Sequence, residues 1–193
     1  MSLPPSILPG TLAAYPQPEL TTPTGLTLRP WEAADAPAFL SAYDDPAIQQ
    51  WHPRHPASEA QVLEWFALYR TNWTHERGAS WAITRTGEVV GRIALGNFDL
   101  HAGIAGFAYW VLPVARGTGV APSALSGVST WAFASGFERL HLSHSTRNTP
   151  SCRAATKAGF PLEGTKRNEA PHADGRHDMH LHARIPSDSN PAV

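Results

Sequence analysis

The chain has 193 residues, 42% hydrophobic and 16% charged, with a formal net charge of −1; that length buries one core rather than two large ones, and the balance excludes a bulk basic field for nucleic acid or an acidic one for polycations. A single cysteine, Cys152, excludes an intramolecular disulfide and fits a reducing compartment, so a cytoplasmic location is expected. No apolar run approaches the roughly 18 residues of a membrane span and no export signal is visible, so no membrane association is expected either.

Residues 1–25 carry six prolines and read as an arm or tail, because proline disfavours both helix and central strand. If ordered over the domain, the arm would anchor through Leu8, Leu12 and Tyr15. The domain proper spans 26–185, and 186–193 form a short polar tail. Residues 26–31 alternate like a strand, and 32–45 read as a helix with Pro37 in its first turn. A second helix is predicted over 58–73, capped by Ser58, with Val62, Phe66 and Tyr69 on one face. Residues 80–85 and 88–95 form a hairpin through a Gly-containing turn, and 104–112 form a further strand. Apolar spacing of Ala121, Leu125, Val128 and Ala132 predicts a helix over about 119–135, ended by Gly136. A strand at 138–145, a short helix at 149–159 closed by Gly159, and a last strand at 176–185 complete the order.

The stretch "VARGTGVAPSAL", 114–125, lies at a strand-to-helix junction. There the first backbone N–H groups of a helix lack partners and its dipole favours an anion. Gly117 and Gly119 let the main chain turn tightly and approach a ligand without a Cβ in the way. The turn reads as a phosphate cradle. A glycine pair also serves ordinary tight turns, and this one is neither a P-loop nor a dinucleotide fingerprint.

"YWVLPVARGTGVA" followed by "NTPSCRAATKAGFPLEG" resembles the two best-marked stretches of the GNAT superfamily of N-acetyltransferases, in particular its RimJ/RimL-like branch. Arg116, Gly117, Thr118, Gly119, Val120 and Ala121 match the pyrophosphate-binding pattern. Asn148, Ser151, Lys157, Gly159 and Phe160 match the downstream pattern. Weaker similarity covers roughly 26–184. The resemblance implies an α/β fold of α+β type: a mixed, mostly antiparallel sheet with helices on both faces, in which the strands at 104–111 and 138–144 splay apart around acetyl-CoA. Pyrophosphate would take the N–H groups of 117–121, and the pantetheine arm would pair with the main chain at Trp110 and Val111. Asn148 would reach the pantetheine or phosphate region, and Ser151 would sit near the thioester sulfur. Arg153 and Lys157 either meet nucleotide phosphates or form a solvated helix face. A homodimer is a further expectation from the resemblance.

An amine attacks a thioester only as the free base; α-amino groups titrate near 8 and lysine-type amines near 10.4. The tetrahedral oxyanion needs a donor, for which a main-chain N–H near Val111 is placed, and the departing thiolate needs a proton, for which Ser151 is the candidate. The sequence departs from the family at the base. Many relatives carry a glutamate where this chain has Gly106. Histidine is the best substitute, and His141 should face away from the apolar side of its strand. Asp99, His177 and Asp178 are rivals, and a structural histidine is the plain reading of His141.

His180 and His182 share one strand face and could both bind zinc or nickel, but two ligands do not make a site, so no metal is expected. Cys152 as an acyl carrier has little support, since the family transfers directly and a helix thiol is more often inert packing. The acceptor pocket is expected around the first two helices, with Trp51 and His52, in a loop-like stretch, touching the amine. The expected activity is acetyl transfer from acetyl-CoA to a primary amine, small molecule or protein N-terminus. An acyl-CoA-binding module without turnover and a plain interaction domain are the alternatives.

Overall fold

In the computed structural model, which describes residues 3–188, the chain runs β1 (Leu20–Thr21), β2 (Thr27–Pro30), α1 (Ala36–Ser41), α2 (Pro46–Trp51), α3 (Glu59–Thr74), β3 (Gly78–Arg85), β4 (Glu88–Asp99), β5 (Ile104–Val111), α4 (Val120–Ala134), β6 (Arg139–Ser145), α5 (Thr149–Lys157), β7 (Leu162–His172) and β8 (Gly175–Arg184). The strands form a single sheet in the order β1-β2-β3-β4-β5-β6-β8-β7. Neighbours are antiparallel except β5 and β6, which run parallel from Ile104↔Arg139 to Phe107↔Leu142. The α/β fold with a mostly antiparallel sheet and helices on both faces is the one expected.

Strand alternation sends side chains to two cores. On one face, Ile83, Ile93, Leu95, Phe107 and Leu140 pack with Leu125 of α4 and with Phe160 just beyond α5. On the other, Trp110 joins Trp31, Phe39 and Phe66 beneath α1 and α3. Each such side chain contributes about 1.5–3 kcal/mol when fully buried. Ser58 caps α3 by accepting from the Gln61 N–H, and α4 ends at Ser135 and Gly136 (φ +97°).

The structure differs from the expected elements at β1, a two-residue strand inside the stretch read as an arm, and in three further places. The helix expected over 32–45 is split into a 3-10 turn at 33–35, α1, and a 3-10 turn at 42–44. Asp45 precedes Pro46, which disfavours helical backbone at Asp45; it turns extended (ψ 120°) and caps a new helix, α2, that absorbs Trp51. Strand β7 went unpredicted because it is mostly exposed and polar, pairs only with β8 at the sheet edge, and is interrupted by register shifts.

The proline-rich arm lies over the domain. Ser6 and Ile7 donate to the carbonyls of His101 and Leu100, and the Glu76 carboxylate accepts from the N–H groups of Gly10, Leu12 and Ala13 at 2.6, 2.7 and 3.1 Å. Ile7 and Leu12 are buried, whereas Leu8 and Tyr15 are exposed. Of the expected polar tail, residues 189–193 lie outside the described residues.

Candidate active site

Beyond Phe107↔Leu142 the two parallel strands part, because β6 stays paired with β8 while β5 follows β4. Residues 108–111 of β5 therefore have no partner on the β6 side. The opening continues into a cleft of about 430 Å³ walled by α2, the end of β5, the 115–122 turn and α5.

The glycine turn forms one wall. Gly117 and Gly119 adopt φ of +78° and +81°, the left-handed region that L side chains rarely enter, and a Cβ at either would meet nothing within 4 Å. Gly119 is the N-cap of α4, and Pro122 in the first turn has no N–H, so Val120 and Ala121 carry the unpaired donors of that terminus. Both line the cleft. Arg116 braces the turn: its Nε donates to the Val111 carbonyl at 3.1 Å, and its guanidinium grips both oxygens of Asp45 at 2.6 and 3.3 Å. That hydrogen-bonded pair holds the Asp45 carboxyl below its usual range. Asp45 also caps α2 through the Ile48 N–H, so α2 and the glycine turn are fastened to each other. Thr118 is not on the cleft wall; its hydroxyl donates to the Ala115 carbonyl.

The opposite wall is α5. Asn148 caps it, its Oδ1 accepting from the Ser151 N–H at 3.2 Å, and Asn148, Ser151, Arg153 and Lys157 all face the cleft. The Ser151 hydroxyl lies 2.8 Å from that of Tyr109 on β5. Burial pushes the Tyr109 phenol up to about 12, so it stays protonated at neutral pH. Trp51 and His52, at the end of α2, complete the lining. Burial, followed by the nearby Arg92 charge, lowers His52 to about 4, so its imidazole is neutral. Trp110 and Val111 line the floor, the Trp110 ring being buried against Trp31, Phe39 and Tyr43.

The model of the GNAT acetyltransferase domain family matches residues 25–161. The chain belongs to the GNAT family. It is an acetyl-CoA-dependent acetyltransferase. Its fold is similar to that of Mycobacterium smegmatis RimJ in complex with a CoA disulfide (23% identity, TM-score 0.81, covering 95% of this chain and 90% of the other). It is likewise similar to RimL, ribosomal L7/L12 alpha-N-protein acetyltransferase, in complex with coenzyme A (20% identity, TM-score 0.81, covering 87% and 98%). A third match is the microcin C7 self-immunity acetyltransferase MccE in complex with acetyl-CoA and AMP (15% identity, TM-score 0.76, covering 83% and 92%). No curated protein matches the chain at a significant level. No helix among the described residues is long and apolar enough to cross a membrane.

In this GNAT enzyme the residues weighed as base lie outside the cleft. His141 pairs in register with Gly106, just before the strands part, and shares the sheet face of Trp110 rather than that of α5. Its pKa is lowered by burial and by Arg139 and Lys166. Asp99 accepts from the Ala102 N–H in a turn, and Asp178 from the Asn168 N–H. His177 is buried against Ser145, Arg147 and Asp174. No carboxylate is among the described residues that line the cleft.

Two features escaped the sequence. Tyr109 shares the strand face of Phe107, and that parity alone would have aimed it at α5. The expectation that His180 and His182 lack further ligand partners is corrected: the fold brings His144 and Cys152 to them, with one potential ligand atom from each of the four lying within 4.8 Å of the others.

Proposed function

We propose that this acetyltransferase moves the acetyl group from acetyl-CoA to a protein N-terminal α-amine by direct attack on the thioester. The observation that carries this reading is a cleft with the glycine turn at one end, the opened β5 main chain along its floor, and no carboxylate among the described residues of its wall. At pH 7 about 10% of an α-amine with pKa near 8 is free base, against about 0.04% of a lysine-type amine near 10.4. A site without a strong base therefore favours the α-amine by more than two orders of magnitude in reactive species. The fold likeness to RimJ and to RimL, the ribosomal L7/L12 alpha-N-protein acetyltransferase, supports the same acceptor.

The N–H groups of Val120 and Ala121 hold the donor's pyrophosphate at the positive end of α4. The main chain at Trp110 and Val111 pairs with the pantetheine arm, and a β5 N–H in the splay receives the developing oxyanion. The amine nitrogen forms the new C–N bond, the C–S bond breaks, and Ser151 protonates the departing thiolate, with Tyr109 replenishing the serine proton. The amine's surplus proton leaves through water, past the neutral His52 on the cleft wall. Trp51 and His52 shape the acceptor end.

The test is CoA release with a panel of peptides carrying a free α-amine, the same peptides N-terminally blocked but containing lysine, and spermidine. Turnover restricted to free α-amines, with a 42 Da gain at the first residue, is the expected result. Turnover of the blocked peptides or of spermidine alone would overturn the acceptor assignment.

A further inference from the structure

The structure assigns a four-ligand metal site to His144, Cys152, His180 and His182, and we propose that it takes a tetrahedral zinc-like divalent ion that clamps α5 to the sheet. The four residues come from three elements. His144 is on β6, His180 and His182 are on β8, and Cys152 is on α5. In register, His144 sits opposite His180 and Leu142 opposite His182, which places all three imidazoles on the α5 side of the sheet. The thiol of Cys152 descends onto them, 3.7 Å from His182 Nε2.

Distance fits the chemistry. Zinc bonds of about 2.0–2.1 Å to nitrogen and 2.3 Å to sulfur place tetrahedral ligand atoms about 3.3–3.6 Å apart. The four ligand atoms already lie within 4.8 Å of one another, so small side-chain rotations close the shell. Three nitrogens and one thiolate suit zinc and its first-row neighbours, not magnesium or calcium.

Hydrogen bonding points the same way. His144 Nδ1 meets the Ser145 carbonyl at 2.8 Å and His182 Nδ1 meets the Phe160 carbonyl at 2.9 Å. A carbonyl only accepts, so each Nδ1 carries the proton and each Nε2 presents a lone pair, the arrangement that orients metal-bound histidines. His144 Nε2 and His180 Nδ1 are buried without a hydrogen-bond partner. His144 is 5% exposed and His182 1%, so water is a poor substitute there. Buried polar atoms without partners are costly, and a metal ion satisfies such lone pairs directly.

Four protein ligands leave no open position, so the ion is structural and takes no part in acetyl transfer. Its place matters for the enzyme nonetheless, because Cys152 follows Ser151 on the helix that carries Asn148, Arg153 and Lys157 to the cleft. Binding displaces the Cys152 thiol proton to solvent, while the histidines bind neutral. The assignment is independent of the acceptor.

Tag-free protein, stripped of metal and titrated with Co²⁺, reads the site directly. Expected are one equivalent bound, intense visible bands of tetrahedral cobalt, and a thiolate-to-cobalt band that disappears in Cys152→Ser. His180→Ala should weaken Co²⁺ binding at least about tenfold, and Zn²⁺ should displace the cobalt and raise the unfolding temperature. Failure of the wild-type protein to bind Co²⁺ or Zn²⁺ near stoichiometrically overturns the site, whatever the variants do. Stoichiometric binding that keeps its spectrum in both variants places the metal elsewhere and overturns it too. Stoichiometric binding without a change in unfolding temperature removes the clamp.

Discussion

The imidazole of His141 occupies the space that a side chain at residue 106 would need: a Cβ on Gly106 would lie 3.0 Å from His141 Nε2 and 3.4 Å from its Cε1. The absent strand carboxylate and the present histidine are thus one steric fact. Gly106→Ala should cost about 1 kcal/mol, since overpacking outweighs the roughly 0.5–1 kcal/mol gained by removing a strand glycine. In a His141→Ala background the same substitution should become neutral or stabilising. A double-mutant cycle by urea unfolding measures the coupling, and additive effects would show that the ring swings away freely.

At Gly119, φ of +81° and open space around a built Cβ separate two effects. Gly119→Ala should lose about 1–2 kcal/mol of stability from left-handed backbone alone. Gly119→Val should also crowd the approach to the Val120 and Ala121 N–H groups. For the wild-type enzyme, acetyl-CoA at 100 times its Kd should add about 2.7 kcal/mol to the native state. Thermal unfolding of the valine variant should show none of that gain; full retention would remove the turn from the pyrophosphate site.

How much of this was legible depended on what kind of signal each residue carries. Helices α3 and α4 declare themselves by apolar spacing and by Ser58 and Gly119 at their starts, and the β3–β4 hairpin by its apolar strands and glycine turn. Those signals are local. Strand β7 has no apolar alternation to read because it buries little, and the helical run that contains α1 stops where Pro46 acts on Asp45, a boundary that periodicity overruns. Arg116 and the Asn148–Ser151 stretch were visible as a motif, yet the partner of Arg116 is Asp45, 71 residues away. The His144, Cys152, His180 and His182 grouping depends on β6 pairing with β8 and on the tilt of α5, which no spacing in the chain encodes.

His52 gives the acid sensitivity a defined window. Its folded pKa of about 4 lies below the unfolded value near 6.5, so between these pH values the unfolded chain binds the extra proton. The stability contributed by its neutral burial is complete above about pH 6.5 and is lost as pH falls toward 4, by up to about 3 kcal/mol. His52→Gln should flatten that part of the stability–pH curve relative to wild type. His141 and His144, also shifted downward, would leave a residual slope of the same sign. Equal slopes in the two proteins would mean that the His52 ring titrates as if in solvent.

The Ser151–Tyr109 pair should reveal whether thiolate departure is assisted. The two hydroxyls are 2.8 Å apart, and a phenol pushed up to about 12 remains a proton donor throughout the range in which α-amines become free bases. Ser151→Ala should lower kcat about 100-fold, the low end of what a positioned general acid supplies, with little change in the KM for acetyl-CoA. Tyr109→Phe should produce a smaller loss by removing the replenishing proton while leaving Ser151 in place. If the two act in series, the double variant will be no slower than Ser151→Ala alone. A multiplicative loss would instead assign Tyr109 its own contact with the reacting group, and a wild-type kcat in Ser151→Ala would show that the thiolate leaves unaided. An acyl donor with a better leaving thiol separates the remaining cases: it should restore Ser151→Ala toward the wild-type rate, because a thiolate that needs no proton has no use for the serine.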